Sequence, residues 1–300
     1  MIVVGVDGGG TRSRALLVDE QGTPLGAADG GPGIILPDDP MAAASAVEDV
    51  VRRAAGGAGI ALPVDALWAG LAGAGRAEGR EAVIARLKRR KLATRVDVGG
   101  DVEAGHADAF GDGPGVLLVV GTGSMVYAMA PSGVPVTVGG WGDRLGDEGS
   151  GYRIGLEALQ GIVRSADGRE TATELTDVVL PKIGVSEPRG LLDWTGRAKK
   201  GDIAALSPLV AEVARKGDVI AARIIHRALT EVRALLEAVL ARTSGWDGPP
   251  GLALVGGLLR GPKELRVPVI EMGRELGFEV LEDRVIPERG AAVRARGLIG

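Results

Sequence analysis

Two stretches of this chain share one internal spacing. VVGVDGGGTRSRALLVDEQGTPLG, residues 3 to 26, and VLLVVGTGSMVYAMAPSGVPVTVGG, residues 116 to 140, each run from an apolar strand through a Gly/Thr tip into a second strand, a turn and a third strand. Placing Thr122 over Thr11 puts Gly133 over Gly22 and Pro135 over Pro24. A long pattern that occurs twice, once at the start of each half, predicts duplicated domains. The flanks say what kind of loop each tip is. A P-loop ends in Gly-Lys-Ser/Thr before a helix, and a dinucleotide fingerprint opens a helix at its last glycine. Here Gly8, Gly9, Gly10 and Thr11 are followed by Ala15, Leu16, Leu17 and Val18 and a turn at Glu20-Gln21-Gly22, which is a second strand.

Glycine-rich tips let backbone N–H groups approach phosphate oxygens closely. One such hairpin reads equally well as an ordinary tight turn. A pair on duplicated domains favours phosphate, because opposed tips make an interdomain cleft that grips a polyphosphate from both sides. Beyond the hairpins each half alternates helix and strand. Residues 41–56, 79–91, 151–166 and 219–242 carry helical periodicity, and residues 66–75, 94–101, 251–259 and 278–282 read as strands with their following turns. In the long helix, Ile220, Ile224, Leu229, Val232, Leu236 and Val239 mark one apolar side. Residues 288–300 close the chain as a short helix that could return to the first domain. The order β-β-β-α-β-α-β-α in each half is an α/β class.

Composition removes several chemistries. With no cysteine, disulfides, iron–sulfur clusters, cysteine zinc sites and thiol nucleophiles are excluded. Fifty glycines against four Trp, two Tyr and two Phe predict an aliphatic core with many tight turns. The net charge of −4 argues against nucleic acid as the main partner. The basic run Lys88-Arg89-Arg90-Lys91 has two readings, a basic patch or, preferred here, a helix end favoured by the macrodipole. The N-terminal apolar segment is too short for a signal peptide or membrane span, which predicts a cytoplasmic protein without a membrane partner.

GVDGGGTRSRALLVDEQG, the Gly100-Asp101 pair, VVGTGSMVYAM, GGWGDRLGDEGSGYRIGLEAL and ALVGGLL together resemble the actin/hexokinase/Hsp70 ATPase superfamily. Within it they are most similar to the N-acetylglucosamine kinase and BadF/BadG/BcrA/BcrD ATPase group. The resemblance implies two ribonuclease H-like domains, residues 1–112 completed by 288–300 and residues 113–287, with ATP and Mg²⁺ as cofactors. It implies that Asp7 holds Mg²⁺, directly or through water, while Gly8, Gly9, Gly10 and Thr11 and then Gly121, Thr122, Gly123 and Ser124 enclose the phosphates. Gly256 and Gly257 match the adenosine motif, although a strand-end turn would also place glycines there. Asp101 is the expected general base, for which the competing role is a helix N-cap. Gly140, Trp141, Gly142 and Asp147 are the expected sugar contacts; Asp147, with Glu148, reads also as a dipole-compensating acid, and Trp141 as core. His106 and His226 are expected to be structural. The family's usual sugar-contacting Asn is replaced near Gly33 and Ile34, which leaves the acceptor open.

These readings predict a phosphotransferase acting on a small molecule, most simply N-acetylglucosamine or glucosamine, with a homodimer allowed for. The alternative is a BadF-type ATPase of regulatory or activator role. Activators that bridge subunits through a cysteine-held cluster are excluded by the missing cysteines. A filament-forming actin-like protein would be expected to carry long surface insertions.

Overall fold

Both hairpins form, and glycine makes the turn behind each. In the computed structural model, which describes residues 1–261 and 263–300, β1 (Val3–Gly8) pairs antiparallel with β2 (Ser13–Val18) and β2 with β3 (Pro24–Gly30). Gly22 turns the chain between β2 and β3 at φ 85°, a left-handed conformation that is costly for a residue with a Cβ. α1 (Pro40–Gly57) then starts under the Asp39 carboxylate, which accepts the Ala42 N–H at 3.1 Å, with Pro40 in the first turn. β4 (Val64–Leu71), α2 (Ala77–Arg89), β5 (Ala93–Gly99) and α3 (Asp101–Phe110) complete this run. β4 and β5 lie parallel to β1, giving the order β3-β2-β1-β4-β5.

Alternation along β1 divides the core of this unit, because successive side chains point to opposite faces. Val4 and Val6 pack with Val47, Val51 and Leu67, while Val3 joins Trp68, Ala104 and Ala292 on the other face. The basic run lies at the end of α2, where Arg90 pairs with Glu48 at 2.5 Å and Arg52 reaches the same carboxylate at 2.8 Å.

The second run repeats the meander as β6 (Gly115–Val120), β7 (Ser124–Met129) and β8 (Pro135–Gly139), and Gly133 takes the turn at φ 77°. Six helices follow: α4 (Gly151–Ala166), α5 (Leu175–Lys182), α6 (Leu191–Thr195), α7 (Lys200–Ala204), α8 (Ser207–Arg215) and α9 (Val219–Arg242). β9 (Gly251–Val255), α10 (Gly257–Arg260), α11 (Lys263–Glu275) and β10 (Glu279–Val280) precede the last helix, α12 (Pro287–Gly297). The sheet order β8-β7-β6-β9-β10 is that of the first sheet. Ile154, Ile162, Ile224 and Val232 pack against Val116 and Leu118 to form its core.

The described residues divide into two units, Met1–Gly113 with Arg284–Gly300, and Pro114–Asp283. α12 belongs to the first. Gly5 and Gly290 leave no room for a Cβ where α12 meets β1 and α3, Asp108 accepts the Ile286 N–H at 2.7 Å, and Arg289 pairs with Asp108. Two expectations are corrected. The second half is not a plain copy, since α5–α8 stand between α4 and α9 where the first half has α1 alone. The late strand expected over residues 278–282 is only Glu279–Val280, because β10 is an edge strand that pairs with β9 over two residues. Among the described residues no helix is long and apolar enough to cross a membrane.

Candidate active site

Strand register sets the first half of the site. Asp7 on β1 is level with Gly70 on β4, and Gly70 with Gly99 on β5. These positions close parallel strands at their carboxyl ends, so Asp101, which opens α3 just beyond Gly99, lies on the edge that also carries Asp7. In open α/β sheets that edge is where ligands bind. The N-cap of α3 is Gly100, whose N–H is taken at 3.0 Å by the Glu103 carboxylate. Asp101 therefore does not serve as the cap. Its Oδ1 accepts the Val102 N–H at 3.0 Å. Desolvation holds the Asp101 carboxyl above its ordinary pKa; the Val102 N–H opposes that shift and the Glu103 charge adds to it.

The first hairpin tip is lightly braced. The Gly9 N–H donates to Arg12 O at 2.9 Å, the Gly33 N–H to Gly9 O at 2.9 Å, and the Ala72 N–H to Gly8 O at 2.8 Å. Gly10 and Thr11 are exposed at its end. Gly33 packs backbone to backbone, and a Cβ there would lie 2.8 Å from Gly8 Cα. The hairpin thus excludes any side chain at residue 33, and the next residue, Ile34, is half-buried and apolar.

The second tip is tied down on several sides. The Gly121 N–H donates to Gly123 O at 2.9 Å, while the N–H groups of Gly151 and Tyr152, at the start of α4, donate to Gly121 O at 2.8 Å and Thr122 O at 3.3 Å. Ser124 donates its hydroxyl to Glu148 O at 2.5 Å and its N–H to Asp147 Oδ1 at 3.3 Å. β6 and β9 run parallel with Val119 level with Val255, which brings Gly256 and Gly257 beside Gly121. Gly256, at φ 118°, presses on Val120 O with no space for a side chain.

Asp147 is 3% exposed and holds φ 59°, a strained conformation for a residue other than glycine. A Cβ on Gly123 would lie 2.5 Å from its Oδ1, and its Oδ2 pairs with Lys200 at the start of α7. Sequence reasoning missed Lys200; its only trace is the basic pair in RAKKGD, which reads as a solvated run. Gly140 and Gly142 take φ 74° and 82° on either side of Trp141, which is 73% exposed and so not part of the core. His106 is buried with its ring 5.0 Å from that of Phe110, and His226 is on the surface of α9.

The structure thus gathers Asp7, Gly8 to Thr11 and Asp101 on one edge of the first unit, and Gly121 to Ser124, Asp147, Gly256 and Gly257 around the second hairpin. Cavities of about 300 Å³ beside Glu148 and Glu231 and about 760 Å³ beside Leu159 and Leu192 include no residue of either tip. Among the described residues no three His, Asp or Glu converge as a metal cage. Asp7 and Asp101 on the one sheet edge are carboxylate oxygen donors of the kind Mg²⁺ takes, one or two at a time, when phosphates and water fill the rest of its shell. Gly10 and Gly257, where nothing lies within 4 Å of a Cβ position, leave open backbone of the kind a polyphosphate nucleotide can approach.

Known proteins resemble this chain over most of its length. The chain is 27% identical over 260 residues to the N-acetylmuramic acid/N-acetylglucosamine kinase of Clostridium acetobutylicum, an alignment covering 86% of this chain and 85% of the relative. It is 28% identical over 261 residues to the glucosamine kinase GspK of Vibrio cholerae, covering 82% and 88%. A crystal structure from Chromobacterium violaceum assigned as an N-acetylglucosamine kinase superposes with a TM-score of 0.81 at 28% identity, over 97% of this chain and 98% of that one. Residues 4–295 match the BadF/BadG/BcrA/BcrD ATPase family, and the chain belongs to it.

Proposed function

We propose that the protein is an ATP-dependent kinase of an amino sugar, N-acetylglucosamine or glucosamine, and that Asp101 is its general base. The observation that carries this reading is the shared sheet edge of Asp7, the first glycine-rich tip and Asp101, with a like tip in the second unit. The relatives named as amino sugar kinases favour the same class of acceptor. When bound, ATP with Mg²⁺ supplies the transferable phosphoryl group and neutralises the charge that develops on it.

Phosphoryl transfer asks the protein mainly for position and charge. Asp7 would hold the metal; backbone N–H groups of Gly8 to Thr11 and Gly121 to Ser124 would hold phosphate oxygens, and Gly256 and Gly257 would lie against the adenosine. Asp101 accepts the proton of the attacking hydroxyl at a carboxylate oxygen. A pKa raised by desolvation makes its carboxylate a stronger base than that of an exposed Asp. Asp147 has one partner on each oxygen and keeps lone pairs for a sugar hydroxyl, and the exposed face of Trp141 offers an apolar contact to the ring. The resemblance implies a sugar-contacting Asn near Gly33 and Ile34, and its absence from this chain removes one polar contact and widens the range of acceptors to be tried. The test is ADP release in the presence of a panel of hexoses and hexosamines. Release that rises only with a hexosamine supports the reading; release independent of every sugar favours the regulatory ATPase instead.

A further inference from the structure

The second hairpin tip contains an electrostatic contradiction and its remedy. Asp147 is buried with Oδ1 on the Ser124 N–H, and Gly123 has no side chain to separate the loop from that carboxylate. A negative charge so placed repels any polyanion that settles on Gly121 to Ser124, and low-dielectric surroundings strengthen the repulsion. The Ser124 N–H is also drawn toward the carboxylate and so is less available to a ligand oxygen. The backbone strain at Asp147 marks a position held by its surroundings. What stands against its charge is Lys200, whose ammonium meets Oδ2 from the first residue of α7.

We propose that Lys200 is a positioning residue for the nucleotide: it cancels the charge of Asp147 beneath the second tip, so that Gly121 to Ser124 can accept phosphate. The role is indirect, acting through Asp147, and it rests on the reading of this tip as a phosphate loop. A lysine that instead touched the phosphates itself would be needed whether or not Asp147 were charged. The two roles therefore part in a double variant.

The experiment is calorimetric titration of MgATP, and separately of adenosine, into the wild-type protein, Lys200→Met, Lys200→Arg and the double variant Asp147→Asn/Lys200→Met. Lys200→Met should weaken MgATP binding by roughly tenfold or more, since an uncompensated charge near a polyanion costs at least that factor. Lys200→Arg should restore most of the affinity, the double variant should return to within about threefold of wild type, and adenosine should bind all four proteins alike. Three results would overturn the proposal: Lys200→Met binding MgATP as wild type does, the double variant remaining as weak as Lys200→Met, or adenosine weakening in parallel with MgATP. Failure of the wild-type protein to bind MgATP would remove the phosphate-loop reading itself, and the proposal with it.

Discussion

Asp147 is buried and Asp101 half-buried, each in a unit that carries a glycine-rich hairpin, and the fold treats them in opposite ways. Asp101 opens a helix that Glu103 caps, accepts one N–H from Val102, and has no ion-pair partner among the described residues. Asp147 is bonded to Ser124 on one oxygen and paired with Lys200 on the other. An unpaired carboxylate raised in pKa binds a proton more readily than a free one, whereas a carboxylate bonded on both oxygens is held in place. The hairpins differ in the same sense. The first tip is braced mainly by Gly33 and Ala72 backbone, and the second by α4, the Asp147 segment and the turn after β9. On the proposed reading the base stands in the first unit, and the more heavily braced of the two phosphate tips in the second.

The contrast is tested most strongly by replacing each carboxylate with its amide. Asp101→Asn should cut turnover by roughly a hundred- to ten-thousandfold, the range of a positioned general base, and leave MgATP affinity nearly unchanged. Asp147→Asn should act mainly on the KM of the acceptor. Steady-state kinetics that found equal losses of kcat for both would erase the distinction.

Stability should separate the two carboxylates again, with opposite signs. The folded pKa of Asp101 lies above its ordinary value of 3.8, so the fold binds its proton more tightly than the unfolded chain does. Its charge therefore reduces stability at pH above both values, and the cost fades as pH falls through them. Asp101→Asn should be more stable than wild type near about pH 7, with the advantage gone near about pH 3. Asp147→Asn should be less stable by about 1–2 kcal/mol at neutral pH, since it leaves a partly exposed Lys200 without its partner. Urea denaturation at the two pH values reads both effects.

The smallest effect tests the duplication itself. Gly22→Ala and Gly133→Ala should each cost about 1 kcal/mol, because each forces a Cβ into a left-handed turn with no steric clash to add. Markedly unequal losses in thermal unfolding would mean that the two turns are not equivalent.

What could be read from the sequence follows from what is periodic in it. The alternation of Val4 and Val6 with Val3, the repeated Gly–Thr tips and the apolar side of α9 all leave regular traces, and both sheets were legible from them. α5–α8 were not, since they run for five to nine residues and are broken by Pro181, Pro188 and Pro208. α11 was hidden in the same way by Pro268. The first glycine-rich tip was legible because it lies in contiguous residues, Asp7 to Thr11. The capping role of Glu103 and the pairing of Lys200 with Asp147 were not, because both are spatial facts with no fixed spacing. The crowding of Gly33 on Gly8 is another such fact, and it gives a structural reason for the glycine at residue 33.

The measurement that bears most directly on the assignment of Asp101 is the pH dependence of kcat/KM for sugar phosphorylation, in wild type and in Asp101→Asn. In the wild type the acid limb should follow one ionisation above the ordinary carboxylate value of 3.8, as burial of Asp101 requires, and the residual activity of the variant should lack that limb. An acid limb of the same position and steepness in both proteins would contradict Asp101 as the base.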